Sequence, residues 1–363
     1  MPAPSRLIGQ WPWLLAALLS VWGIVLVLQE PLLEPAPAAE GGLDFELYRA
    51  IIERMRTGAG YYEAAAAELR RPREPAGLSY PTASVFNWRL PTLAWLLSTL
   101  PRDASRWLLA GLAAAALGCW WRAGVGQPRL VQIGTVAALA TGLLHCLPGF
   151  LDDALVVHET WAGVLLALGL GAGAAGQRRL AMVAILAAGL IRELAWLAPA
   201  VLLVMPFADA GPSARRERFA WALVLLLCLA AWTGHVLHVQ QLILPTDRAH
   251  QGSWIALGGW RFVLKTAHMH PLALPLLPTA PWVLAALLPW LLALTLRWYE
   301  PRGRPACWVL LAYVAAYLVV GQPFNFLWGL VYVPLLGLGV AALLERIASR
   351  SAAAGLERRP EAR

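Results

Sequence analysis

Residues 30–89 read EPLLEPAPAAEGGLDFELYRAIIERMRTGAGYYEAAAAELRRPREPAGLSYPTASVFNWR, and this stretch decides how the rest of the chain is read. It is long, polar and dense in Arg and Glu, yet it follows a run, Trp11–Leu28, that is apolar throughout. Membrane-length apolar runs return downstream at Leu130–Leu147, Ala154–Leu170, Phe219–Val239, Pro281–Leu296, Ala306–Val320 and Leu327–Leu344. A helix that crosses a bilayer needs about 20 predominantly apolar residues. Polar chemistry has no place in lipid, so a large loop beside the first span is where a reaction site is expected.

Composition supports the membrane reading. Hydrophobic residues make up 59% of the chain and charged ones 14%, with a mean hydropathy of +0.60, whereas a soluble domain carries roughly 25% charged residues. The expected fold is all-α: one polytopic helical membrane domain, 1–346, of about ten spans, with loops at 31–89 and 239–271 and a disordered cytoplasmic tail at 347–363. Trp13 and Trp22 bracket the first span, as interface-seeking rings do. That span is too long for the apolar core of a signal peptide and reads as a retained anchor.

The net charge of +8 does not point to nucleic acid. Arg215, Arg216 and Arg218, then Arg297, Arg302 and Arg304, then Arg346 and Arg350 fall in short polar breaks or near the C-terminus, the positive-inside pattern of a multi-pass protein. Both termini are accordingly placed in the cytoplasm, and the 31–89 and 239–271 loops on the other side. Leu180–Phe207 is too long for one untilted span and is interrupted by Arg192-Glu193. Two half-length helices meeting at Arg192 satisfy the arginine rule, and Leu90–Leu100 is then re-entrant; the competing reading makes each of these segments one full span. Cys119, Cys146, Cys228 and Cys307 lie in or beside apolar runs without metal-ligand spacing and read as core residues.

Inside the first loop, Leu43, Leu47, Ile51 and Met55 recur at helical spacing while Asp44, Arg49, Glu53 and Arg56 point elsewhere. This predicts an amphipathic helix lying on the bilayer surface, ended by Gly58 and Gly60. Tyr61, Tyr62 and the Ala64–Ala67 run predict a second short helix closing at Pro72. Asp44 opens the first helix, where the dipole favours an ionised carboxylate that could accept a proton; a plain capping role is the alternative.

The order first span, Asp44-Phe45-x-x-Tyr48, Gly58-x-Gly60-Tyr61, Tyr80-Pro81 and Trp88-Arg89-Leu90-Pro91 resembles the integral-membrane GT-C glycosyltransferases. It is most similar to their bacterial, polyprenol-phosphate-mannose-dependent branch. The paired prolines of that branch are absent, since Thr82 follows Tyr80-Pro81. The resemblance implies an inverting transfer from a polyprenyl-phosphate sugar to an acceptor hydroxyl of a glycolipid, glycan or protein, at the outer face of the bacterial inner membrane. It places the general base on Asp44, and sugar or acceptor contacts on Tyr48, Tyr61 and Trp88. It admits a divalent ion, although no carboxylate cage is legible, and needs no nucleotide site.

Arg192 lies mid-membrane by hydropathy, which makes it a functional-site candidate. A lipid-phosphate leaving group needs a fixed cation there, and Arg89 is a second candidate; internal pairing of Arg192 with Glu193 is the alternative. Asp152, Asp153, His158 and Glu159 form an acidic cluster suited to sugar hydroxyls, with Glu193 beside Arg192, or else a solvated helix entrance. The second loop offers Asp247, Arg248, His250, Trp254, Trp260, Arg261, Lys265, His268 and His270, a set that suits a sugar or a polyprenyl chain or an ordinary interfacial loop. A transporter or lipid flippase, or a non-catalytic subunit of the same fold, are the competing functions.

Overall fold

A computed structural model describes residues 11–30, 41–72, 80–147, 152–205, 212–249, 256–271, 281–296, 303–322 and 324–357. Among them every regular element is helical and there is no strand, so the all-α expectation is met. The first helix, α1 (Trp11–Gln29), exposes Leu14, Leu18, Val21 and Leu28 and buries Ala16, Ser20, Gly23 and Val27. That buried line of mostly small residues lets α1 approach another helix closely.

Two helices fill the loop after it, α2 (Gly41–Arg56) and α3 (Tyr61–Arg70). Gly58 separates them with φ of +106°, a conformation that side chains rarely adopt. The apolar face of α2 is wider than the expected stripe, burying Leu47, Tyr48, Ile51 and Ile52. It meets protein rather than lipid: α3 and the short helix α4 (Thr92–Thr99) cover it. The expectation of a helix resting on the bilayer is corrected accordingly. At 8 residues, α4 is about 12 Å long and cannot cross a bilayer, in keeping with the re-entrant reading of Leu90–Leu100.

Pro101 then starts α5 (Arg102–Ala123), followed by α6 (Arg129–Gly142), α7 (His158–Ala174) and α8 (Arg178–Ile191). In α7 every residue except Gly173 is buried, the signature of a helix that is apolar all round because protein surrounds it. It packs on α5, on α8 and on a 3-10 stretch, Phe326–Val331. A Cβ on Gly163 would stand 2.1 Å from the Leu330 carbonyl oxygen, so that contact requires glycine. The Trp120 indole donates to the Ala167 carbonyl at 3.0 Å and fixes how α5 and α7 register.

Arg192 breaks α8 in an extended conformation (φ −144°, ψ 121°), and after one 3-10 turn the chain resumes as α9 (Leu197–Val204). The long α10 (Pro212–Leu242) follows, then α11 (Gly259–Ala267), α12 (Pro281–Leu296), α13 (Arg304–Val319) and α14 (Gly337–Glu357). It is α12 that receives α1, where Ser20 Oγ donates to the Ala286 carbonyl at 2.8 Å. The predicted span Leu327–Leu344 is wound as 3-10 turns up to Leu336 and only then as α-helix. The helix continues to Glu357, through the beginning of the tail expected to be disordered; residues 358–363 lie outside the described residues.

Among the described residues two helices, Trp11–Gln29 and Ala214–Leu242, are long and apolar enough to cross a membrane, with 28% and 22% of their most apolar windows buried. Large apolar side chains are exposed on both, Leu14, Leu18 and Leu28 on the first and Phe219, Leu226 and Leu237 on the second, which suits lipid rather than water. The four cysteines are buried and unpaired.

Two glycine substitutions test the packing. Gly163→Ala drives a methyl into backbone and is expected to cost about 1–3 kcal/mol. Gly234→Ala, in α10 with nothing within 4 Å of the added carbon, is expected to be neutral or to stabilise by about 0.5–1 kcal/mol. Thermal unfolding of the purified protein in detergent compares them, and equal midpoints would refute the buried-axle reading of α7.

Candidate active site

The site begins in the first turn of α2, where Asp44 is half-buried near the positive end of the helix dipole. The Tyr80 hydroxyl donates to Asp44 Oδ1 at 2.5 Å. Burial raises the Asp44 carboxyl above its ordinary value, against the lowering pull of Arg89 and of the Tyr80 hydrogen bond; the Glu159 charge adds to the rise and Arg192 opposes it. The carboxylate therefore shares one electrostatic environment with both guanidiniums.

The loop 80–91 aims Arg89 through backbone constraints on either side. Trp88 is buried and its indole donates to the Thr82 carbonyl at 3.0 Å. The Trp88 carbonyl meets His235 Nε2 of α10 at 3.1 Å, and the Tyr61 hydroxyl donates to the Arg89 carbonyl. With its backbone pinned, Arg89 donates from Nε to the Tyr48 hydroxyl at 2.9 Å and from a terminal nitrogen to the Phe86 carbonyl at 3.1 Å. Burial also pushes the Tyr48 phenol up, so it stays neutral.

The third component comes from the start of α7 and the break after α8. Arg192, 1% exposed, donates from Nε to Glu159 at 2.7 Å and from a terminal nitrogen to its neighbour Glu193. Such a guanidinium is already satisfied by two carboxylates, which is the pairing alternative for Arg192 rather than an open anion cradle. The carbonyls released by the break are taken up as well: the Trp196 indole donates to Gly189 O at 2.9 Å and the Tyr313 hydroxyl to Leu194 O at 2.9 Å. His158 packs edge-on against Tyr48, 4.9 Å between ring centres, and its two ring nitrogens have no hydrogen-bond partner among the described residues. Tyr48, Tyr61, Arg89 and His158 line a cavity of about 20 Å³, room for roughly one water.

The structure thus brings together Asp44, Tyr48, Arg89, His158, Glu159, Arg192 and Glu193. Other candidates go elsewhere. Trp88 is buried in the support of the loop and does not line the cavity, whereas Tyr61 lines it while its hydroxyl is engaged by the Arg89 carbonyl. Asp153 is exposed and ion-paired with Arg49, so it does not join the cluster. His250 lies outside the described residues, as do Trp254 and the side chain of Asp152. The second-loop residues disperse: Trp260 and His268 are buried, Arg261 pairs with Glu30 at 2.9 Å, and His270 Nε2 lies 3.5 Å from the Thr141 hydroxyl. Among the described residues no three His, Cys, Asp or Glu side chains are grouped to hold a metal ion.

Asp247 has the clearest structural role in that loop. Arg70 of α3 grips it with two bonds of 2.8 Å and also donates to the Leu242 carbonyl at 2.6 Å. Ala83 N donates to the Arg248 carbonyl at 3.0 Å, and the Tyr62 hydroxyl meets His235 Nδ1 at 3.1 Å. These bonds dock the first loop onto the end of α10. Tyr80 as partner of Asp44, and Arg70 as partner of Asp247, were not assigned from sequence; the only prior signal was Tyr80-Pro81 in the motif. No family model, curated protein or solved structure matches the chain.

The grip of Arg70 holds the Asp247 carboxyl down at about 2. A depressed carboxyl stabilises the fold above its unfolded value and loses that contribution as the pH falls from about 4 to about 2. Asp247→Asn is expected to cost about 1–3 kcal/mol at neutral pH and to flatten that acid dependence. Melting curves from pH 7 to 2 check both, and an unchanged acid slope in the variant would contradict the assignment.

Proposed function

We propose that the chain is a polytopic membrane enzyme of about ten crossings that moves a sugar from a polyprenyl-phosphate donor to an acceptor hydroxyl, with inversion at the anomeric carbon. Its site faces away from the cytoplasm across a bacterial inner membrane, and both termini are cytoplasmic. The observation that carries this reading is Asp44: a carboxylate in a helix's first turn, crowded by protein, held by a tyrosine and coupled to two guanidiniums. A carboxyl whose proton affinity is raised by burial, yet steadied as the anion by Arg89 and Tyr80, suits a general base. The resemblance of the Asp44-x-x-x-Tyr48 loop to the GT-C glycosyltransferases supports the same assignment.

In the proposed reaction, the acceptor oxygen attacks the anomeric carbon as its proton passes to Asp44. The bond from that carbon to the phosphate oxygen breaks, and polyprenyl phosphate leaves with the electron pair. Arg89, anchored on Tyr48, is the cation nearest in role to the departing phosphate. Arg192 is committed to Glu159 and Glu193 and acts at second hand, by neutralising them and holding the helix break open. His158, with unpartnered nitrogens beside Tyr48, is placed to meet a sugar or acceptor hydroxyl. A mannose-type hexose is the donor sugar that the resemblance favours.

The broken helix with its buried charge also favours a second reading, a transporter or lipid flippase. Asp44→Asn separates them. With the protein in vesicles and a radiolabelled polyprenyl-phosphate sugar, the variant is expected to lose transfer by about 10²–10⁴-fold. It is expected to fold at least as well as the parent at neutral pH, since the raised carboxyl makes ionisation unfavourable in the native state. Undiminished transfer would remove Asp44 as base, and lipid movement without glycosidic product would identify a flippase. The acid limb of the rate should lie above the ordinary carboxylate range. Tyr80→Phe should move it further up, because a donor to the ionised form is lost.

A further inference from the structure

Two adjacent tyrosines decide both soft torsions of the Arg89 backbone. A peptide unit is planar, so a bond to its carbonyl holds the whole plane, and only φ and ψ are left to place the side chain between two such planes. The plane after Arg89 is held by the Tyr61 hydroxyl, which donates to the Arg89 carbonyl. The plane before it carries the Trp88 carbonyl, which lies 3.1 Å from Nε2 of His235, 147 residues away on α10. The other nitrogen of that imidazole, Nδ1, stands 3.1 Å from the Tyr62 hydroxyl. Tyr61 and Tyr62, side by side at the start of α3, thus act on the two planes that flank the Arg89 Cα, one directly and one through His235.

The relay through His235 has a direction. A carbonyl only accepts, so Nε2 carries the proton that faces Trp88; Nδ1 is then a lone pair, and the Tyr62 hydroxyl donates to it. In the other tautomer Nε2 would set a lone pair against the carbonyl, and the bond would be lost. Tyr62 selects the useful tautomer, because the hydrogen bond at one ring nitrogen fixes where the proton sits. Its own ring is held between the imidazoles of His235 and His238, at 5.7 and 4.0 Å between centres. His235 is 2% exposed, so solvent barely competes for either nitrogen. We propose that His235 and Tyr62 are positioning residues of the reaction: the bond from Nε2 to the Trp88 carbonyl sets the aim of the Arg89 guanidinium, and Tyr62 keeps that bond by fixing the tautomer. The inference rests on the proposed sugar transfer, in which negative charge grows on the phosphate as it leaves. A misaimed guanidinium then weakens the transition state more than the bound donor, so the effect falls on kcat.

Two amides of different reach test this. His235→Gln brings its amide nitrogen to the position of Nε2 and keeps a donor for the Trp88 carbonyl, whereas His235→Asn reaches only as far as Nδ1 and keeps a partner for Tyr62 alone. Each loses one hydrogen bond, so a purely structural role makes their losses equal. With the full chain in vesicles and a radiolabelled polyprenyl-phosphate sugar, the Asn variant is expected to lose about 10–100-fold in kcat, with the donor KM within about threefold of the parent's, and the Gln variant to stay within about threefold in both. Tyr62→Phe keeps the ring and serves where the Asn variant fails to fold. It is expected to lower kcat about three- to tenfold beside His235 and to have no effect in the Gln background, because an amide has no tautomer to fix. The Nε–H signal of Arg89 in a nitrogen-resolved NMR spectrum, assigned through Arg89→Lys, reports the aim without turnover; it should move in the Asn variant and stay in the Gln variant. Equal kcat for the two amide variants, or an unmoved Arg89 signal in a folded Asn variant, would overturn the inference. A parent that transfers no sugar would remove the enzyme reading instead, and the Arg89 signal would still decide whether His235 positions that side chain.

Discussion

The fold is organised around a guanidinium that has almost no contact with solvent. Arg192 sits where a helix stops, and its charge is met by Glu159 from the neighbouring helix and by Glu193 from its own chain. Removing such a charge from water costs several kcal/mol, recovered only when geometry and hydrogen bonding are good. The surroundings are arranged to that end. Two aromatic side chains, Trp196 and Tyr313, take up the carbonyls that the interrupted helix leaves without amide partners. With Asp44 and Arg89 included, the cluster holds three carboxylates and two guanidiniums, so one carboxylate is always the odd one. Asp44 is the member without a direct guanidinium bond and the one that retains a raised proton affinity.

Much of this was legible in the sequence where the pattern is local. The α2–α3 pair follows from apolar residues at helical spacing, and Gly58 marks the end of the first helix because only glycine is at ease at that φ. The break at Arg192 follows from a charged pair inside a run too long for one straight span. What stayed hidden depends on partners distant in the chain. Glu159 lies 33 residues before Arg192, and nothing in either neighbourhood names the other. The same holds for Arg70 and Asp247, 177 positions apart. Hydropathy could not tell α7, enclosed by protein, from a helix facing lipid, because both are apolar all round. Nor could it show that α2 turns its greasy face to α4, since period reports that a face is buried and not what buries it. The winding of 326–336 into 3-10 turns also escaped, as did the close approach of Leu330 to Gly163, which joins residues far apart in the chain.

The supports of the site differ in kind from the site itself. Trp88, Tyr61 and Thr82 are buried, hydrogen-bonded and neutral, and they set the position of one arginine through its backbone. The cluster they serve is charged and includes a histidine with unsatisfied nitrogens. Stability and reactivity are thus divided between neighbouring residues, so a carboxylate at odds with its surroundings can persist without loosening the loop that carries it.

His235 gives the arrangement a mechanical side. A single imidazole on α10 touches the Tyr62 hydroxyl with one nitrogen and the Trp88 carbonyl with the other, so it rivets both halves of the loop to one rod. That rod has 31 residues, and any displacement of it carries the Tyr62 hydroxyl and the carbonyl one residue ahead of Arg89 together, so the two halves of the loop move with α10 as a unit instead of being pulled apart.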